Sequence, residues 1–175
     1  LAAGVAKMSR EEELLRERLR MTITGITSFE YDASTSTFVF PMAGALYTLT
    51  LSSTEPLGVK APIKLETSEA AAQMDAKICF DDPDLVSFVR SGNLWITRRS
   101  TGIEVQLSDV HWHDGCKLAA GTPSYIIQEE FHRYSGHWWQ DRLSADQPFR
   151  IMYEEIDESH VDTASIVDFR LEGGV

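Results

Sequence analysis

From residue 21 onward, short runs rich in Thr, Val, Ile, Phe, Tyr and Trp are separated by Gly, Asp, Ser and Pro. That texture predicts an all-β architecture. Two of the runs repeat. TFVFPMAGALYT, 37–48, set over LVSFVRSGNLWI, 85–96, aligns Phe40 with Phe88, Gly44 with Gly92, Leu46 with Leu94 and Tyr47 with Trp95, an offset of 48 residues. Each copy reads as an apolar strand, a turn at Gly and a second strand beginning Leu-aromatic, hence a hairpin. Beyond the second copy, Ile103, Val105 and Leu107 alternate with polar residues and predict a further strand. A third, less regular unit runs through SYIIQEE (124–130), SGHWW (135–139) and FRIMYEE (149–155), with its first strand ending in two glutamates. Three or four strands repeating every 40–50 residues or so describe a β-propeller blade. Blade-like units are expected near 26–60, 74–108 and 122–160, so that 21–175 forms a partial propeller of about three blades. Taken alone, the repeat also fits two unrelated hairpins of a β-sandwich.

Ahead of the strands, SREEELLRERLR (9–20) carries Ser9 and Glu12 at capping-box spacing, with acidic residues early and Arg16, Arg18 and Arg20 late. This predicts an amphipathic N-terminal helix with its charges aligned to the helix dipole. Leu15 and Leu19 share a face expected to pack against the body of the protein, and residues 1–8 read as disordered or as the start of a fragment.

Lys and Arg total 16 against 27 Asp and Glu, a net charge of −11. The sign is wrong for a partner held by phosphate contacts, so nucleic acid is not expected. No apolar run approaches the roughly 18 residues of a membrane span, and LAAGVAKMSREEE is too short and too quickly acidic for a signal peptide. The chain therefore reads as soluble and intracellular. Cys79 and Cys116 form no CxxC pair, and Asn93, the single asparagine, opens no glycosylation sequon.

Sequence motifs for a serine nucleophile elbow, a phosphate loop or a zinc protease helix are missing from these residues, and no catalytic residue is assigned. His111-Trp112-His113-Asp114-Gly115-Cys116 gathers metal-ligand residue types, but Asp-Gly marks a turn, and a solvated loop without metal is the better expectation. His132 and His137 are read as surface or packing histidines. The pair Glu129-Glu130 is the strongest candidate. In a regular strand neighbouring side chains point to opposite faces, so the two carboxylates can serve one ligand only where the backbone leaves strand geometry. What two close carboxylates bind is a cation: a metal ion, an arginine or a primary ammonium with three donors. A strand end with two solvated charges fits the residues as well. Glu154-Glu155, followed by Asp157 and Glu158, reads as a solvated acidic face.

The stretches SREEELLRERLR with GITSF, MDAKICFDDPD with SFV and LW, IIQEEFHRYSGHWW and IMYEEIDES resemble the N-terminal β-propeller of the dipeptidyl peptidase IV family, more closely its cytosolic branch, types eight and nine. The resemblance covers most of residues 8–160. It implies a two-part enzyme, propeller plus C-terminal α/β-hydrolase domain, that releases dipeptides from peptide N-termini after Pro or Ala. Glu129 and Glu130 match the family's pair that grips the substrate's free α-ammonium. Arg20 matches the arginine that contacts the substrate's backbone carbonyl, although Leu19 stands where a basic residue is usual. His132 occupies a position that is usually acidic, and residues 50–70 and HWHDGC depart from the pattern. No cofactor is implied; peptides with a free N-terminus are the expected partners, in a cytoplasmic homodimer.

The hydrolase domain with its Ser-Asp-His triad is not found in these residues, so the chain alone is expected to be inactive. A non-catalytic propeller scaffold is the competing reading. Dividing 175 residues by 48 gives about 3.6 units, nearer three after the helix, whereas closed propellers usually need at least four blades. The expectation is a slice of a larger propeller with exposed strand edges that promote aggregation.

Overall fold

The computed structural model describes residues 17, 26, 28–51, 61–68, 71–113 and 116–162, with Trp112, His113 and Cys116 by backbone alone. Apart from Glu17, the predicted helix over 9–20 lies outside the described residues, and Arg20 with it. So do residues 1–8 and 52–60.

The first two repeat units each form a four-stranded antiparallel sheet with strands in sequence order. One contains β1 (Glu30–Asp32), β2 (Thr37–Met42), β3 (Ala45–Thr50) and β4 (Ile63–Lys64). The other contains β5 (Met74–Ile78), β6 (Leu85–Arg90), β7 (Asn93–Arg98) and β8 (Ile103–Gln106). The repeat is visible in the register: Phe40 pairs with Tyr47 and Phe88 with Trp95. Each hairpin closes through two residues of positive φ, Ala43 (52°) with Gly44 (77°) and Ser91 (51°) with Gly92 (71°). This is the mirror-image turn whose twist matches the flanking strands, and glycine at its second position adopts it without strain.

Apolar faces of the two sheets meet in a core of Val39, Leu46, Leu65, Ala76, Val86 and Phe88, with Ile78 and Trp95 packed against it. Strand β6 is buried along its whole length, so its sequence lacks alternation and even Ser87 and Arg90 are enclosed. Arg90 is accommodated because Nη1 donates to both Glu104 oxygens (3.1 and 3.0 Å) and Nη2 to Ser68 Oγ (3.2 Å). Its guanidinium also lies 3.8 Å from the Trp95 ring centroid. A buried charge persists only with such pairing.

The third unit departs from the repeat. Strands β9 (Trp112–His113), β10 (Cys116–Ala120) and β13 (Glu155–Asp157) form a sheet in the order β13-β10-β9, while β11 (His137–Gln140) and β12 (Arg150–Tyr153) form a separate hairpin. SYIIQEE, expected as a strand, is instead helix α1 (Tyr125–Phe131). Ile126 and Ile127 suggested a strand, but Ser124 stands at the N-cap with extended backbone and Gln and Glu are good helix formers. Among the described residues the fold is mostly β, with antiparallel sheets, a single helix of more than one described residue, and no sheet closed into a barrel.

The β11–β12 hairpin docks on the β5 side of the central sheet through polar contacts. Trp139 Nε1 donates to the Lys77 carbonyl (3.2 Å) and the Arg142 N–H to Asp81 Oδ2 (2.7 Å). Fully buried His137 places Nε2 3.0 Å from Ser87 Oγ and Nδ1 3.4 Å from Asp75 Oδ2. Asp75 reaches it from a bulge: its φ is 49°, and the β5–β6 register shifts between Met74 and Lys77. Such an irregularity re-aims a side chain that regular pairing would point elsewhere.

Candidate functional site

Helix α1 is positioned by backbone clamps before any of its side chains act. Ala120 N–H donates to the Gly92 carbonyl, tying β10 to the turn of the central hairpin (2.8 Å). Next, Gly121 N–H donates to the Glu154 carbonyl and Glu154 N–H to the Gly136 carbonyl, both at 2.8 Å. The chain on either side of α1 is thereby fastened to one residue. A Cβ on Gly136 would sit 2.7–2.8 Å from backbone atoms of Gly121 and Thr122, so this crossing requires glycine.

Within that frame a polar anchor sets the rotation of the helix. Gln128 is buried, and its Nε2 donates to the Pro123 carbonyl at 2.7 Å. Successive residues are about 100° apart around a helix axis. With Gln128 fixed inward, Glu129 and Glu130 follow at roughly 100° and 200°, and both are exposed. A strand would have sent them to opposite faces. The helix thus removes the strand alternation that would keep the two carboxylates apart. Among the described residues, neither side chain has a hydrogen-bond or ion-pair partner.

His132 terminates the helix in the left-handed region (φ 50°, ψ 33°), with its N–H donating to the Ile127 carbonyl. The turn changes the course of Arg133. Its Nη2 lies 2.6 Å from Glu154 Oε1, its Nη1 donates to the Ser135 carbonyl at 2.9 Å, and its guanidinium centre is 5.6 Å from the Trp138 ring centroid. Glu154, expected on a solvated acidic face, is therefore a half-exposed partner in an ion pair; Glu155 and Asp157 are exposed as expected. Asp157 is held below the usual carboxylate range by the Ser159 hydroxyl and N–H.

The two flanking histidines divide. His132 is exposed, whereas His137 is enclosed, and burial pushes its imidazole below the ordinary value, with Lys77 adding to the effect and Asp75 opposing it. In HWHDGC, His113 pairs with Cys116 across β9 and β10. Among the described residues no three His, Cys, Asp or Glu side chains are grouped to hold a metal ion. Cys79 is buried, and burial raises its thiol above the ordinary range.

The structure therefore leaves Glu129 and Glu130 exposed at successive positions of α1, and Arg20 lies outside the described residues. Sequence reasoning missed Gln128, Arg133, Gly136 and Glu154. Pro123-Ser124, just ahead of Tyr125, could have flagged the helix start, while the Arg133–Glu154 pair spans 21 residues and left no local signal.

Comparison with known proteins agrees with the resemblance carried by the sequence. Residues 31–174 match the family model described as dipeptidyl peptidase IV (DPP IV) N-terminal region. The chain is similar to dipeptidyl peptidase 8 from Homo sapiens, 37% identical over 94% of this chain and 19% of that protein. Dipeptidyl peptidase 8 from Mus musculus is 36% identical over 94% of this chain and 20% of its own length. A crystal structure of Porphyromonas gingivalis dipeptidyl peptidase 4 aligns with TM-score 0.44 and 17% identity, covering 68% of this chain and 17% of that one. The chain spans about a fifth of the length of the curated relatives it matches. With a family model covering most of its residues, this chain belongs to the dipeptidyl peptidase IV N-terminal region family.

Proposed function

We propose that the chain is part of a serine-type dipeptidyl aminopeptidase and supplies the surface that receives the substrate's N-terminal ammonium. The observation that carries this reading is the pair Glu129 and Glu130, adjacent, exposed and unengaged among the described residues, on a helix whose rotation is fixed by Gln128. An ammonium offers three N–H donors and a full positive charge, and each charge-assisted hydrogen bond contributes about 1.5–3 kcal/mol. A methylated or acylated amine loses donors, charge or both. The site would therefore select free N-termini.

Anchoring the first residue also measures length. An extended peptide spans at most roughly 3.3–3.6 Å per residue, so a carboxylate clamp sets the bond after the second residue at about 7 Å from the anchored end. Holding that bond at a fixed place converts binding into positioning for chemistry. The nucleophile, base and orienting acid of that chemistry are assigned to a hydrolase domain outside these residues, with Arg20 as the contact to the substrate's backbone carbonyl. A cytoplasmic homodimer acting after Pro or Ala completes the proposal, on the strength of the family resemblance. No cofactor or metal is invoked.

In the full-length protein, Glu129→Gln and Glu130→Gln should each lower kcat/KM toward Ala-Pro substrates by about 100-fold or more, with the protein folded. Unchanged kinetics in both variants would refute the ammonium site. The 175-residue chain alone should show no turnover of a chromogenic Ala-Pro substrate; turnover abolished by Glu130→Gln would contradict the assignment of the catalytic groups elsewhere.

A further inference from the structure

The nearest cation in sequence, Arg133, engages Glu154 and not the glutamate pair. Arg133 follows Glu129 by four residues and Glu130 by three, the separations at which a carboxylate and a guanidinium pair on a continuous helix. A cation so placed would occupy the site that a ligand ammonium needs. It does not, because the helix stops at left-handed His132 and Arg133 is taken up by Glu154 at 2.6 Å, with the Ser135 carbonyl and the Trp138 ring as further contacts.

We propose that Glu154 is a positioning residue that holds Arg133 away from Glu129 and Glu130 and so keeps the carboxylate pair open for a cationic ligand. Glu154 is well suited to this. Its backbone is fastened to Gly121 and Gly136 on both sides of α1, so its carboxylate is fixed relative to the helix it protects. Its ion pair with Arg133 is only about one-third exposed on each side, which shields it from solvent more than a fully exposed pair. The inference rests on the ammonium reading of the pair, but makes a separate statement about where the Arg133 guanidinium goes when Glu154 is neutralised.

The test is an NMR study of the isotopically labelled full-length protein as wild type, Glu154→Gln, Arg133→Gln and the double variant. Each is titrated with Ala-Pro and with N-acetyl-Ala-Pro, following the Glu129 and Glu130 carboxyl carbons. Glu154→Gln should weaken Ala-Pro binding by about tenfold, since an uncovered guanidinium competes with the ammonium. The double variant should return to within about threefold of wild type, since the competitor has gone. In unliganded Glu154→Gln, nuclear Overhauser contacts from the Arg133 side chain should move from Trp138 to Glu129 or Glu130.

A double variant as weak as Glu154→Gln would overturn the proposal, and so would rescue with Arg133 still against Trp138. If Glu154→Gln does not fold, Arg133→Gln decides: sequestration predicts binding within about threefold of wild type, and a tenfold loss refutes it. If wild type shows no binding that depends on the free amine, the ammonium reading fails; the movement of Arg133 in unliganded Glu154→Gln then still judges the present proposal by itself.

Discussion

The two repeat sheets and the α1 region are held in place by different forces. Between β2–β3 and β6–β7 the positioning is done by apolar bulk: Phe88, Val86, Val39 and Leu46 are buried, and their contacts are numerous and non-directional. Around α1 the determinants are few and directional. One buried amide, one ion pair and one glycine crossing set where Glu129 and Glu130 point. The sheets are therefore expected to tolerate a change of shape that keeps volume, whereas the α1 region has few contacts over which the loss of one can be spread. The candidate site rests on a small polar frame bolted to a large apolar one.

The comparison breaks first, and most severely, at the core. Phe88→Ala should cost about 3–5 kcal/mol of stability, because a fully enclosed ring is replaced by a cavity. A denaturant midpoint shift is the measure, and a loss below about 1 kcal/mol would mean that the two sheets are not packed as described. Gly136→Ala should cost less, about 1–3 kcal/mol, since backbone at Gly121 must move to admit the methyl group. Its effect on the site should be the larger one: amide shifts should concentrate at 121–136 and 154 rather than in β2, β3 and β7. Shifts spread evenly through both sheets would erase the distinction between the two regions.

A third variant acts at the seam. His137 joins the hairpin next to α1 to Ser87 and Asp75 of the central sheet, with Lys77 the other charge acting on it. Burial lowers its folded value below the ordinary 6.5, so the unfolded chain binds the proton more readily. The stabilisation from neutral His137 is thus complete above about 6.5 and is lost as pH falls from there through the lower folded value. His137→Gln should flatten that part of the stability profile while costing about 1–3 kcal/mol at neutral pH through a lost buried hydrogen bond. An unchanged slope between wild type and variant would place the titration elsewhere. The smallest effect belongs to the edge: Ile103 on β8 is 64% exposed, and Ile103→Lys should move stability by no more than about 0.5 kcal/mol while reducing self-association seen by light scattering.

Legibility from sequence follows the same division. The hairpin pairs Phe40–Tyr47 and Phe88–Trp95 were readable because a local repeat, a glycine turn and strand-forming residues all agreed. Buried Arg90 was not, since its partners Glu104 and Ser68 come from other segments. The glutamate pair stands out by residue type and motif, but the strand expected to carry it is a helix. Ile126 and Ile127 raised strand propensity, and the long-range clamps that override it, Gly121–Glu154–Gly136, have no periodic signature. Pairing written in adjacent residues could be read; geometry imposed by distant ones could not.

The central claim is that Glu129 and Glu130 together receive a free N-terminal ammonium. Its most direct test is the change in their carboxyl carbon resonances in the wild-type full-length protein on titration with Ala-Pro, set against N-acetyl-Ala-Pro at equal concentration. Saturable shifts of both residues with the free amine, and none with the acetylated peptide, are predicted. Equal responses to the two peptides, or a response at neither glutamate, would contradict it.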